Sequence, residues 1–444
     1  MIEASVILRR SRAVVILRRS RGICFSILTA TLFASPALAQ AGVGDDGPWL
    51  IRGATVVTGT GERLANTNII VRNGRIERIG AGITTPNAKV VEAAGKFVYP
   101  GMVDANTPLG LVEISGVQTM TLRSEIGQFN PHLKAIVALN MDSELLGVTR
   151  MSGVTSVLTS PTGGLISGQA ALINTSGWTW EDIGIRPNAG IIINLPSAGG
   201  AGGGRGGRGG AAAVSGNTVA DLNAFMAAAK DYHTKRAANA AKSDLIYEPM
   251  RALFNKEVAA IIPANGETGI RNAIDFGDQW GIKVVILGGG QAWRVRSLLA
   301  QKQVPVILNS LMQNPAPGQP YDEVYAQPGL LNEAGVKFAF STGGGANARH
   351  VPLSAALAVA YGLPKDAALK ALTIWPAEIL GADKDIGTIA PGKLANFVIT
   401  SGDPMDLRTE IVDVFIKGRM APDDDRHTRL WQKYKSRPLP IKVP

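Results

Sequence analysis

Cysteine is nearly absent from this 444-residue chain: the one copy, Cys24, lies close to the N-terminus, and no thiol follows it. Disulfides, thiolate nucleophiles and cysteine metal sites are thereby excluded from the body of the protein. A cysteine-free body suits an oxidising compartment without requiring one. Histidine is scarce too, with four in all: His132, His233, His350 and His427. A catalytic zinc site normally takes three or four protein ligands, so so few imidazoles leave little room for one. The apolar stretch 23–34 falls short of the about 20 residues that span a bilayer. No membrane anchor is expected.

Hydrophobic residues make up 45% of the chain, enough for one barrel-sized domain and an accessory one. Six arginines (Arg9, Arg10, Arg12, Arg18, Arg19, Arg21) precede the apolar stretch, and Ala37-Leu38-Ala39 follows it as a small-x-small cleavage site. Residues 1–39 therefore read as a signal peptide cleaved before Gln40, with a periplasmic or secreted product. The repeat Val-Ile-Leu-Arg-Arg-Ser-Arg at 6–12 and 15–21 leaves both the general secretory and the twin-arginine routes open. Without the signal, 39 basic residues face 34 acidic ones, so the net charge falls from +10 to +5. That modest excess, with no aromatics interleaved among the basic residues, argues against a nucleic-acid partner. The Arg-Gly-Gly repeats at 199–210 read as a flexible insertion whose glycines cannot pack a core.

From Trp49 to Phe97 short β-like runs alternate with turns, and Asn73-Gly74 is a strong hairpin signal. A matching set returns near the C-terminus, at 395–400 and 411–416. Two β-rich pieces, 48–95 and 384–421, around a long α/β middle predict a composite β-sandwich built from both ends. The middle, 96–383, alternates strands (96–105, 153–160, 170–174, 190–195, 258–264, 283–288, 304–309, 336–341) with helices such as 219–239, 268–280 and 291–301. About eight units at that spacing predict an α/β (β/α)8 TIM-like barrel. The tail 422–444 is polar and is expected to wrap the surface.

The segment Tyr99-Pro100-Gly101-Met102-Val103-Asp104-Ala105-Asn106-Thr107-Pro108-Leu109-Gly110 carries a resemblance. It resembles the first barrel strand of the amidohydrolase superfamily, in particular its secreted imidazolonepropionase-like members. Their pattern there is Pro-Gly-hydrophobic-hydrophobic-Asp-Ala-His-x-His-Leu-Gly. The exit stretches Gly362-Leu363-Pro364 and Thr373-Ile374-Trp375-Pro376-Ala377-Glu378 are also similar to that family, and the likeness runs from about Trp49 to Met420. It implies hydrolysis of carbon–nitrogen bonds other than peptide bonds at the C-terminal ends of the barrel strands. It also implies zinc or another divalent metal held by both histidines of the pattern, by histidines ending the fifth and sixth strands, and by an aspartate on the eighth.

This chain departs from that pattern at every ligand position. Asn106 and Pro108 replace the two histidines. Pro263 stands at the fifth strand, Gly288 at the sixth, with Gln291 where a glutamate is common, and Gly343 at the eighth. A neutral amide is a poor zinc ligand, and proline and glycine side chains offer no lone pair. No metal site, no cofactor and no confident catalytic residue are therefore expected. His233 and His427 lie in a helical and a charged stretch that read as solvent-facing. Ser160 and Ser341 precede glycines, yet neither has a Gly-x-Ser-x-Gly elbow or a histidine at a defined spacing. The glycines read as turns or as backbone N–H cradles for an anion.

Asn106, Glu113, Glu267, Asn309 and His350 remain as candidates to line a small-molecule pocket. Asp104 is less distinctive, because the family pattern has a non-ligand aspartate there. The expectation is a catalytically degenerate amidohydrolase-like protein that binds a small molecule, as a homo-oligomer or paired with an active paralogue. The alternative is an active metal-dependent hydrolase with non-standard ligands.

Overall fold

The computed structural model describes residues 47–196, 218–314 and 319–438. The signal segment 1–39 and the glycine-rich insertion 199–210 lie outside them. Five strands come first: β1 (Trp49–Val57), β2 (Arg63–Arg72), β3 (Arg75–Gly80), β4 (Lys89–Glu92) and β5 (Phe97–Pro100). The β2–β3 turn is the predicted one, with Asn73 and Gly74 both at positive φ (52° and 76°), as a two-residue hairpin turn of the favoured twist demands. Eight strands follow: β6 (Met102–Thr107), β7 (Val154–Thr159), β8 (Ile166–Asn174), β9 (Gly184–Ile193), β10 (Ala259–Ala264), β11 (Val284–Gly288), β12 (Val306–Leu308) and β13 (Phe338–Ala339). Strands β14 (Phe397–Thr400), β15 (Ile411–Ile416) and β16 (Arg419–Met420) complete the set.

The middle eight form one sheet in the order β13-β12-β11-β10-β9-β8-β7-β6. Its two edges meet where Ala105 N–H donates to Phe340 O and Gly343 N–H donates to Asn106 O, each at 3.0 Å. Every strand contributes to one interior cluster: Val103, Ala105, Leu158, Ala170, Leu172, Ala189, Ile192, Ala259, Ile261, Val285, Ile307 and Ala339. Small and β-branched residues filling a ring of eight strands give the packed core of a TIM-like barrel. The alternate residues, with the helices outside, make a second and larger core.

One part of the barrel differs from the (β/α)8 expectation. β8 runs antiparallel to both β7 and β9. Only six residues join β7 to β8, and a four-residue helix, Trp180–Ile183, stands between β8 and β9. Parallel neighbours need a crossover of a dozen or more residues, whereas antiparallel ones need only a tight connection. The spacing of Ser160-Pro161-Thr162-Gly163-Gly164 thus dictates a meander. The helix–strand alternation resumes at 219.

The remaining strands are those expected to build the composite β-sandwich. They form one continuous sheet in the order β16-β15-β14-β5-β1-β2-β3, with β4 against β1. Both chain ends do build it, and the β5–β14 pairing joins them. Their inward residues, among them Ile51, Val56, Ile69, Val71, Phe397 and Phe415, share one core. The expected first barrel strand, 96–105, is split: β5 belongs to this sheet and β6 to the barrel. Gly101 makes the passage, since a Cβ there would sit 2.0 Å from Thr155 Oγ1. The Pro-Gly of the sequence signature therefore has a steric reason of its own.

A candidate ligand site at the barrel mouth

The C-terminal ends of the barrel strands bring together three groups of polar residues. The first lies on the seam between β6 and β13. Asp104 is fully buried and accepts hydrogen bonds from Thr342 N (3.1 Å), from Thr342 Oγ1 and from Asn106 N (3.2 Å). Burial pushes its carboxyl up to about 7, against the opposing pull of those donors. Asp104 thus ties the first strand to the last. Asn106, half-buried, is held beside it by its own carbonyl's bond from Gly343.

The second group spans β10, β11 and β12. Asn309 Nδ2 donates to Asn265 Oδ1 at 2.7 Å. Asn309 follows Ile307 of the interior cluster by two residues, so strand alternation places it on the lumen side. Gly288 lies directly beneath this amide pair. Its φ is +107°, and a Cβ there would stand 2.5 Å from Asn265 Oδ1 and 3.4 Å from Asn309 Oδ1. Gln291 Oε1 accepts from Glu267 N at 3.1 Å, at the start of helix Glu267–Trp280. Glu267 itself pairs with Arg271 one turn along the helix at 2.9 Å.

The third group is dispersed. Glu113 accepts from Asn140 Nδ2 at 3.4 Å in the long connection after β6. His350 accepts on Nε2 from Arg349 Nε at 3.0 Å. Burial first, then the neighbouring guanidinium, lowers its pKa, so it stays neutral at physiological pH. His233 is half-buried, with its ring centroid 5.4 Å from that of Phe254.

Of the five sequence candidates, the structure thus joins Asn309 to a cluster with Asn265 and Gly288, and Asn106 to the Asp104–Thr342 seam. Glu267 contributes only its backbone to the Gln291 contact, and Glu113 and His350 have separate local partners. Sequence reasoning missed Asn265 and Thr342, which stand one and three residues past strand ends where this fold places site residues. Ser160, at the mouth end of β7, carries a hydroxyl that is buried without a hydrogen-bond partner. An uncompensated buried hydroxyl is costly, and a ligand at the mouth would relieve it.

The donor set does not fit a divalent metal. Among the described residues no three of histidine, cysteine, aspartate and glutamate come together. At the sixth-strand position Gly288 offers no side chain, and a Cβ there would meet the Asn265 amide oxygen at 2.5 Å. A cavity of about 690 Å³ lies instead at the opposite, N-terminal ends of the strands, lined by Ala259, Lys283, Pro305 and Lys337 among others. That face of a barrel serves stability in known enzymes of this architecture.

Comparison with known proteins agrees with this architecture. The Amidohydrolase family matches residues 320–421, from before β13 to the end of the C-terminal strands. An amidohydrolase from Thermotoga maritima MSB8 superposes with a TM-score of 0.73 at 26% identity, covering 84% of this chain and 99% of that one. A prolidase solved with N-methylphosphonate-L-proline superposes at 0.55 and 17% identity over 84% of this chain and 99% of its own, a likeness of fold. A dihydroorotase of Pelotomaculum thermopropionicum is 37% identical over 60 residues, 14% of each chain. An amidohydrolase, tasK, of Hapsidospora irregularis is 41% identical over 78 residues, 18% of this chain and 8% of its own. The matched stretches thus span a small fraction of these two relatives' lengths. Together with the fold, these matches place the chain in the amidohydrolase superfamily.

Proposed function

We propose that this chain is an exported amidohydrolase-fold protein in which a neutral polar pocket at the barrel mouth has replaced the metal-dependent hydrolytic site. It binds a small amide- or imide-bearing molecule there without hydrolysing it, as a homo-oligomer or beside a catalytically competent relative. The observation that carries this reading is the Asn265–Asn309 amide pair above Gly288. Paired carboxamides offer donors and acceptors without charge, which suits a neutral polar ligand and disfavours a dication. The unpartnered Ser160 hydroxyl supports the same ligand chemistry.

Calorimetric titration with cyclic amides, imides and N-acyl amino acids tests it. At least one class is expected to bind, and Asn309→Ala should weaken that binding about tenfold, the loss of roughly one well-made hydrogen bond. Metal-dependent turnover of any of these compounds by the parent protein would instead establish an active hydrolase with unfamiliar ligands.

A further inference from the structure

The C-terminal segment expected to be a polar wrap contains a helix, Arg426–Lys435, whose orientation is inverted for a globular protein. Asp425 caps it, accepting from Thr428 N at 2.6 Å, and Arg429 binds Glu144 (2.5 Å) and Asp424 (3.2 Å). Thr428 and Arg429 therefore mark the side turned to the protein body. At about 100° per residue, His427, Leu430, Trp431 and Tyr434 fall in one stripe on roughly the opposite side. That stripe is open to solvent: Leu430, Trp431 and Tyr434 are 38%, 62% and 53% exposed. No residue of the helix is buried. Surface helices normally turn their apolar stripe inward.

The flanks of the stripe carry charge of one sign. Arg426 and Lys433 lie on one side, Lys435 on the other, and Arg437 follows; the helix contains no acidic residue. The Lys435 ammonium sits 4.6 Å from the Trp431 ring and that of Lys433 5.3 Å from the Tyr434 ring, so the cations border the aromatic surface directly. An outward stripe of leucine, tryptophan and tyrosine with basic flanks is the composition of a helix lying in a lipid–water interface. We propose that helix Arg426–Lys435 is a peripheral contact for an anionic phospholipid surface, holding the protein against a membrane it does not span. A second copy of this chain is a poor occupant, because two-fold pairing through the stripe would oppose Arg426, Lys433 and Lys435 to their own copies. The inference does not depend on what the barrel mouth binds.

The test is co-sedimentation of the full mature chain with vesicles of phosphatidylcholine alone and of phosphatidylcholine with about one-third phosphatidylglycerol. The protein is expected to partition onto the anionic vesicles at least about tenfold more strongly than onto the neutral ones, and to be released by high salt. Two variants should each reduce that partitioning about tenfold or more: Leu430→Ser/Trp431→Ser/Tyr434→Ser, and Arg426→Glu/Lys433→Glu/Lys435→Glu. Since none of these residues is buried, unchanged thermal unfolding is the control for folding. Three results would overturn the proposal: no partitioning onto anionic vesicles, partitioning that both variants retain, or loss of self-association by the first variant in a parent that ignores vesicles.

Discussion

Asp104→Ala is expected to lower the unfolding free energy by about 2–5 kcal/mol, because it leaves the buried Thr342 N–H and hydroxyl and the part-buried Asn106 N–H without their acceptor. Asp104→Asn should be far milder. Its amide oxygen can accept from Asn106 N and Thr342 N, and its NH2 can donate to the Thr342 hydroxyl. The two variants also separate the charge from the geometry. Burial holds the Asp104 carboxyl at about 7, against 3.8 when exposed. Between those values the folded chain keeps a proton that the unfolded chain has released. The contribution is therefore fully present below about pH 4 and is lost as pH rises through about 7. About three units at 1.4 kcal/mol each bound the loss at roughly 4 kcal/mol. The denaturation midpoint of the parent should therefore fall relative to that of Asp104→Asn as pH rises from about 4 to about 7, and change no further above it. Parallel profiles would show that the carboxyl is ionised throughout.

Gly288→His is expected to destabilise the barrel by about 2–4 kcal/mol and to bring no metal binding. Part of the cost is conformational, since φ of +107° lies where only glycine is at ease. The rest comes from Asn265, which must swing away from the new Cβ and give up its 2.7 Å bond with Asn309. A double-mutant cycle with Asn265→Gly isolates that second part, and a coupling of about 0.5–1.5 kcal/mol is expected. The same reasoning covers Asn106→His with Pro108→His. Two imidazoles return while Pro263, Gly288 and Gly343 still withhold the other ligands, so hydrolysis of cyclic amides should stay absent. Residues that act as a unit are strongly non-additive. Turnover by that double variant would mean that ligands wait at positions other than these.

Much of the architecture was legible because it rests on local signals. Asn73-Gly74 announced its hairpin, and β10 to β13 fell close to their expected places because turn residues and intervening helices bound each run. The meander at β7–β8–β9 was not legible in that way. A buried strand reads as a continuous apolar run whichever direction it takes, and β8 is buried along its whole length. Only the shortness of the 160–165 connection carried the direction. The split at Gly101 escaped for a related reason, since two buried strands separated by one glycine look like a single strand. At the mouth, the residue types at the strand ends could be read directly from the sequence. The Asn265–Asn309 bond could not, because it joins loops 44 residues apart that only the closed barrel brings together.

The central claim is that this amidohydrolase-fold barrel has given up its metal, and the most direct measurement is elemental analysis. The protein, purified without chelator, should contain well under one zinc, manganese or iron ion per chain by mass spectrometry. Addition of these ions should leave its thermal unfolding midpoint unchanged, since an ion bound to the folded state would raise it. Near-stoichiometric metal that survives dialysis, with a midpoint that rises as the ion is added, would contradict the account.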